Sequence, residues 1–82
     1  MNDTEIVQAI VEELAKVAPG TDPAGAGMDE NLRDALDIDS FDALNFFIAI
    51  SERLGVNISE KDMGRLNTKN EILTYLLTAK KI

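Results

Sequence analysis

Asp39-Ser40-Phe41-Asp42 sets a serine between carboxylates, where an acidic connection rich in glycine and proline meets a densely apolar stretch. A serine attacks a substrate when a neighbouring base takes its proton. The chain has no histidine and no cysteine, and no lysine lies beside Ser40. No other set of residues offers a matched acid, base and nucleophile, so an enzyme is the weakest reading. Ser40 reads instead as a hydroxyl that accepts a group more readily than it attacks a substrate.

Metal chemistry fares no better. Asp37-x-Asp39 matches the opening of a calcium-binding EF-hand loop, but the third ligand would be Phe41, the turn glycine Asp42 and the closing glutamate Ile48. The absence of cysteine and histidine removes the common zinc ligands as well. Neither a metal site nor a disulfide framework is expected.

A chain of 82 residues has room for one small core, so a single domain spanning 1–82 is expected. With 45% hydrophobic and 28% charged residues it can bury that core rather than remain disordered. A formal net charge of -7 repels nucleic acid and anionic membrane surfaces and favours partners with basic patches. The acidic start Asn2-Asp3-Thr4-Glu5 does not read as an export signal. The most apolar run, Ala43 to Ile50, is far short of the roughly 20 residues needed to cross a bilayer. A cytoplasmic monomer without stable membrane insertion is the expectation.

Hydrophobic spacing then supplies the elements that must position Ser40. Ile6, Ile10, Leu14 and Val17 recur at helical intervals, predicting a first helix over about 3–17, with Glu5, Glu12, Glu13 and Lys16 off that stripe. Asn2 and Glu5 have capping-box spacing, and Ala18-Pro19-Gly20 must end the helix. A long connection follows, with Leu32, Leu36 and Ile38 as anchors and a short helical turn near 31–35.

The second main helix is expected from Ser40 to Leu54, with Asp39 as N-cap, Asp42 completing the box, and Gly55 as the left-handed stop. Its apolar residues, including Phe41, Ala43, Leu44, Phe46, Phe47, Ile48, Ile50 and Leu54, spread over about 220° at 100° per residue, more than one packed face requires. A short helix should follow Ser59 and break at Gly64. Val56, Ile58, Met63 and Leu66 can close the core there. Thr68 and Glu71 predict the start of a last helix carrying Ile72, Leu73, Leu76 and Leu77, with Lys80 and Lys81 complementing its C-terminal dipole. The fold class is all-α: a small four-helix bundle of three main helices plus a short one before the last, with a long first loop.

This pattern resembles the acyl carrier protein family over nearly the whole chain. Leu36-Asp37-Ile38-Asp39-Ser40-Phe41-Asp42-Ala43-Leu44 is similar to the family's attachment motif, and Leu54-Gly55-Val56-Asn57-Ile58 and Thr68-Lys69-Asn70-Glu71-Ile72 follow at the family's distances. The resemblance implies that Ser40 receives 4'-phosphopantetheine from coenzyme A, carried over by a phosphopantetheinyl transferase, and that the arm's thiol holds acyl groups. It implies that Asp39, Phe41, Asp42, Asn45, Ile48 and Glu52 face acyl-transferring or acyl-modifying enzymes with basic docking patches. It also implies an acyl pocket or core built from Leu44, Phe46, Phe47, Ile50 and Leu54, with Ile58, Met63, Leu66 and Ile72 from later segments.

The chain departs from the family where Phe41 replaces the leucine that commonly follows the serine. Asn45 and Ser51 stand where carriers of ordinary fatty-acid synthesis tend to have glutamates, and Arg53 adds a positive charge. A less acidic recognition face implies a carrier dedicated to one lipid, fatty-acid or polyketide-type pathway, with a housekeeping carrier as the nearer alternative. The rival from another class is a noncovalent helical adaptor, whose Ser40 would stay unmodified.

Overall fold

A computed structural model describes residues 2–79, and it is all-helical. The helices are α1 (Asp3–Val17), α2 (Leu32–Leu36), α3 (Ser40–Leu54), α4 (Glu60–Met63) and α5 (Lys69–Ala79), with a 3₁₀ turn at Pro23–Gly25. Lys80 and Lys81, expected to complement the last dipole, lie outside the described residues.

Local chemistry sets the ends of the two long helices. The Asn2 side chain accepts from the Glu5 N–H at 2.9 Å, while Glu5 accepts from the Asn2 N–H at 3.0 Å, so two of the orphan donors at the start of α1 are satisfied. At the far end the Ala18 N–H donates to the Leu14 carbonyl before Pro19 turns the chain away. α3 closes at Gly55, whose φ of 67° is a conformation that costs a residue with a Cβ roughly 1–2 kcal/mol.

α1 packs against α3 and α5. Ile6, Ile10 and Leu14 of α1 meet Phe46 and Ile50 of α3 and Ile72 and Leu76 of α5, all essentially without exposure. Each such side chain contributes roughly 1.5–3 kcal/mol of transfer free energy, which makes this seam the main source of stability. Leu32, Leu36 and Ile38 are buried in the same core and hold the second half of the long connection against it.

That connection holds, as α2, the short helical turn expected near 31–35, and also a 3₁₀ turn that was not expected. Pro23 opens the 3₁₀ turn, and Asn31 caps α2 by accepting from the Asp34 N–H at 3.2 Å. Elements this short carry too few residues for a periodic signal. They are held by tertiary bonds instead: the Leu32 N–H donates to the Asn67 carbonyl at 2.8 Å, and the Asn70 N–H to the Met28 carbonyl at 2.9 Å. Lys69, only 3% exposed, donates its ammonium to the Pro23 carbonyl at 2.7 Å. The start of α5 thereby fixes the connection that leads into α2.

Three sequence expectations change. Leu44, placed with the pocket and core, is 37% exposed and stands outside the core cluster. The apolar arc of α3 splits, because only the side bearing Ala43, Phe46, Phe47, Ile50 and Leu54 is buried, where α1 packs against it. Glu13, read as lying off the packed face of α1, is buried; Arg53 pairs with it and with Glu12 instead of adding charge to an outer surface.

Candidate phosphopantetheine attachment site

Asp39 and Ser40 divide two tasks at the start of α3. The Asp39 carboxylate accepts from the Asp42 N–H at 2.9 Å, and Asp42 reaches back to the Asp39 N–H at a longer 3.5 Å. The cap is thus complete without the Ser40 hydroxyl, and Ser40 is exposed at the first helical position. Its Oγ accepts a hydrogen bond from Arg33 Nη1 at 3.3 Å.

Arg33 reaches Ser40 because of how α2 ends. Asp37 takes the left-handed conformation with φ 53°, and its N–H donates to the Arg33 carbonyl. The Ile38 N–H donates to the same carbonyl at 3.2 Å, and Ile38 is buried. This closure folds the chain between α2 and α3 so that residues seven apart meet. Nothing in the local pattern of Arg33 marks it as a neighbour of Ser40, and sequence reasoning did not place it there.

Ser40 and Arg33 open onto a groove of about 260 Å³ that runs between α3 and α4, lined also by Ala43, Leu44, Phe47, Glu60 and Met63. Behind it lies a separate apolar cavity of only about 20 Å³, bounded by Leu14, Ile38, Phe46, Leu66 and Ile72 among others. That is room for about one water molecule. Arg33, Ala43, Phe47 and Met63 border both spaces and form the partition between them. Of the expected pocket residues, Phe46, Phe47, Leu66, Met63 and Ile72 line the cavity, Leu44 lines the outer groove, and Ile50, Leu54 and Ile58 are core residues away from both. Phe46 and Phe47 meet edge to face with centroids 5.1 Å apart.

Outward from Ser40, α3 presents Phe41 at 70% exposure, Leu44, and Ile48 at 45%, with Asn45 and Glu52 also exposed and Asp42 half-buried. Steps of three, four and four residues put Phe41, Leu44, Ile48 and Glu52 along one stripe. Arg53 is turned from this stripe towards α1. Among the described residues, no cluster of carboxylates could hold a metal ion, and no helix is long and apolar enough to cross a membrane.

The residues present suit a phosphodiester: an exposed hydroxyl free of structural duty, a guanidinium in contact with it, and a helix start whose free N–H groups favour negative charge. Comparison with known proteins points the same way. The family model "Phosphopantetheine attachment site" matches residues 5–76. An acyl carrier protein of Renibacterium salmoninarum is 27% identical over 79 residues, covering 96% of this chain and 98% of that one. The meromycolate extension acyl carrier protein of Mycobacterium leprae is 29% identical over 72 residues, covering 88% of this chain but 62% of its own length, under two thirds. The solved structure of a hexanoyl acyl carrier protein from the actinorhodin polyketide synthase of Streptomyces coelicolor superposes with a TM-score of 0.72 at 26% identity, covering 96% of this chain and 90% of that one. With a helical bundle of matching shape and the attachment-site pattern running through all but its ends, this chain belongs to the phosphopantetheine-attachment family as an acyl carrier protein.

Proposed function

We propose that Ser40 is the attachment point of the 4'-phosphopantetheine arm and that the chain, as one domain, presents acyl groups from it to cytoplasmic enzymes of a dedicated pathway without catalysing chemistry itself. The observation that carries this reading is the separation of duties at α3: Asp39 caps the helix, which leaves the Ser40 hydroxyl exposed beside Arg33. The arm supplies a thiol that takes acyl groups as thioesters. The chain's own residues hold its base in place and offer a surface for partners. A phosphopantetheinyl transferase supplies the general base and metal ion that Ser40 lacks.

The partner surface is the stripe of Phe41, Leu44, Asn45, Ile48 and Glu52, bordered by Asp39 and Asp42. Its mixture of apolar and acidic groups fits a shallow apolar patch rimmed by lysine or arginine on the enzyme, where the charges set encounter rate and the large apolar residues set residence. The sparse acidity of this face, with Asn45 in the second turn and Ser51 in the last, favours a dedicated partner set. The relatives named for meromycolate extension and for a polyketide synthase are consistent with specialised carriers of this kind.

The test is loading. Apo protein is incubated with magnesium, coenzyme A and a broad-specificity phosphopantetheinyl transferase, and intact mass is measured for wild type and Ser40→Ala. One addition on wild type, absent from the variant, is expected. An addition that persists in Ser40→Ala would move the site elsewhere, and no addition with several transferases would favour the unmodified adaptor.

A further inference from the structure

We propose that Arg33 is the residue that holds the negative charge of the phosphodiester at Ser40, fixing the base of the arm to α2 as well as to α3. The proposal rests on Ser40 being the attachment point and adds a second residue to the site.

Charge makes such a residue necessary. The chain carries a formal net charge of -7, and Asp37, Asp39 and Asp42 crowd the turn around Ser40, with Glu60 among the residues lining its groove. A phosphodiester is anionic at every physiological pH, so attachment adds one more negative charge to this acidic end of the bundle. Without a local cation the base of the arm would be pushed out into water.

Arg33 is free to be that cation. Among the described residues the ion pairs join Lys16 to Glu13 and Arg53 to Glu12 and Glu13, and Arg33 takes part in none. Its one side-chain hydrogen bond goes to Ser40 Oγ, so most of its five N–H donors have no protein acceptor. An arginine whose role was surface solubility would more simply pair with the carboxylates four and six residues along, Asp37 and Asp39. This one instead points at a neutral hydroxyl, to which phosphorus would be bonded directly. A planar guanidinium presents paired donors that match phosphate oxygens, and such charge-assisted bonds are roughly twice as strong as neutral ones.

The placement is also rigid. Two backbone N–H groups, of Asp37 and Ile38, close on the Arg33 carbonyl, and Leu32 and Leu36 on either side are buried. Little ordering of the backbone remains to be done when the anion arrives. Because Arg33 borders both the outer groove and the inner cavity, holding the phosphate there also starts the arm along the partition between α3 and α4.

The experiment compares apo and holo protein by ³¹P and arginine side-chain ¹⁵N spectra, with loading followed by intact mass. On loading wild type, the Arg33 guanidinium signals should shift and those of Arg65 should not. In holo Arg33→Gln the ³¹P resonance should move towards that of free phosphopantetheine diesters, with Arg33→Lys in between and Arg65→Gln unchanged from wild type. The proposal is overturned if wild type loads fully while the Arg33 signals stay fixed, or if Arg65→Gln moves the ³¹P resonance as far as Arg33→Gln does. Should either Arg33 variant resist loading, the wild-type comparison decides alone. Failure of wild type to load at Ser40 sinks the attachment reading, and this proposal with it.

Discussion

Arg53, in the last turn of α3, donates to the buried carboxylate of Glu13 on α1 at 2.9 Å, joining residues 40 apart in the chain. A second bond from the same guanidinium goes to Glu12 at 2.6 Å. This fork ties together two helices that pack on each other and keeps a positive charge off the exposed stripe of Phe41, Leu44 and Ile48.

Burial works to raise the Glu13 pKa, but hydrogen bonds from Arg53 and then Lys16, with their positive charges, outweigh it and hold the carboxyl below its ordinary 4.5. A carboxylate whose pKa is depressed by folding stabilises the native state above its unfolded pKa, and that stabilisation is lost as pH falls through the folded one. Stability should therefore decline as pH drops below about 4.5, and Arg53→Gln should shallow that decline. At neutral pH Arg53→Gln should lower stability, because it leaves the Glu13 carboxylate with one charged partner fewer, an effect moderated by the solvation of Arg53. Urea denaturation of both proteins across the acid range checks the depth and the slope; parallel curves would mean that the fork adds nothing to either.

Asp37 is the only residue other than glycine with positive φ among those described, and it is what brings Arg33 to Ser40. A β-branched residue should resist that conformation, so Asp37→Val is expected to lose about 1–2 kcal/mol, whereas Asp37→Asn should be near neutral. Thermal melts give the stabilities. Loss of the Arg33 to Ser40 contact in Asp37→Val, followed through the arginine side-chain signals, would tie the turn to the site; unchanged signals would separate them.

How much of this was legible in the sequence depends on the range of the interaction. The ends of α1 and α3 are written in capping residues three positions apart and in Gly55, so local reading locates them closely. The side of α3 that would be covered was not legible, because an arc of about 220° exceeds what one partner face buries and only tertiary packing, chiefly against α1, decides which flank is left out. Phe41, Leu44 and Ile48 are on that flank. The bonds of Arg33 to Ser40, Arg53 to Glu13 and Lys69 to Pro23 span 7, 40 and 46 residues and have no spacing rule to betray them. That neither histidine nor cysteine can stand beside Ser40, by contrast, follows from composition alone.

Tyr75 donates its hydroxyl to Asp62 at 2.8 Å, joining α5 to the short α4 that walls the Ser40 groove. That bond, aided by partial burial, raises the tyrosine pKa above its ordinary 10.0, and it lowers that of Asp62 together with a bond from Ser59. A raised pKa of this kind means stability that is present below 10.0 and lost as pH rises through the folded value. The chain has one tyrosine, so phenolate absorbance reports it alone. Its midpoint should fall in Asp62→Asn, and Tyr75→Phe should loosen α4, seen as faster amide exchange over 60–63. An unmoved midpoint would count against the bond.

The cavity behind the groove is small. With about 20 Å³ free, the inner space admits no acyl chain as it stands, so a chain carried on the arm must either remain in the outer groove or displace part of the partition. Phe46 and Phe47 both border the cavity, but their positions differ. Phe46 lines only the inner cavity, whereas Phe47 borders both spaces. Phe47→Val should therefore open a path from groove to cavity, while Phe46→Leu should enlarge a chamber that stays shut. Both should destabilise the apo protein, by roughly 2–4 kcal/mol for Phe47→Val and less for Phe46→Leu, following the cost of cavities left by truncated core side chains. Each further methylene buried would return up to about 0.8 kcal/mol. A melting temperature that rises with acyl length in Phe47→Val but stays flat in wild type and Phe46→Leu is the expected outcome. Equal rises in all three would show that Phe47 is not the barrier.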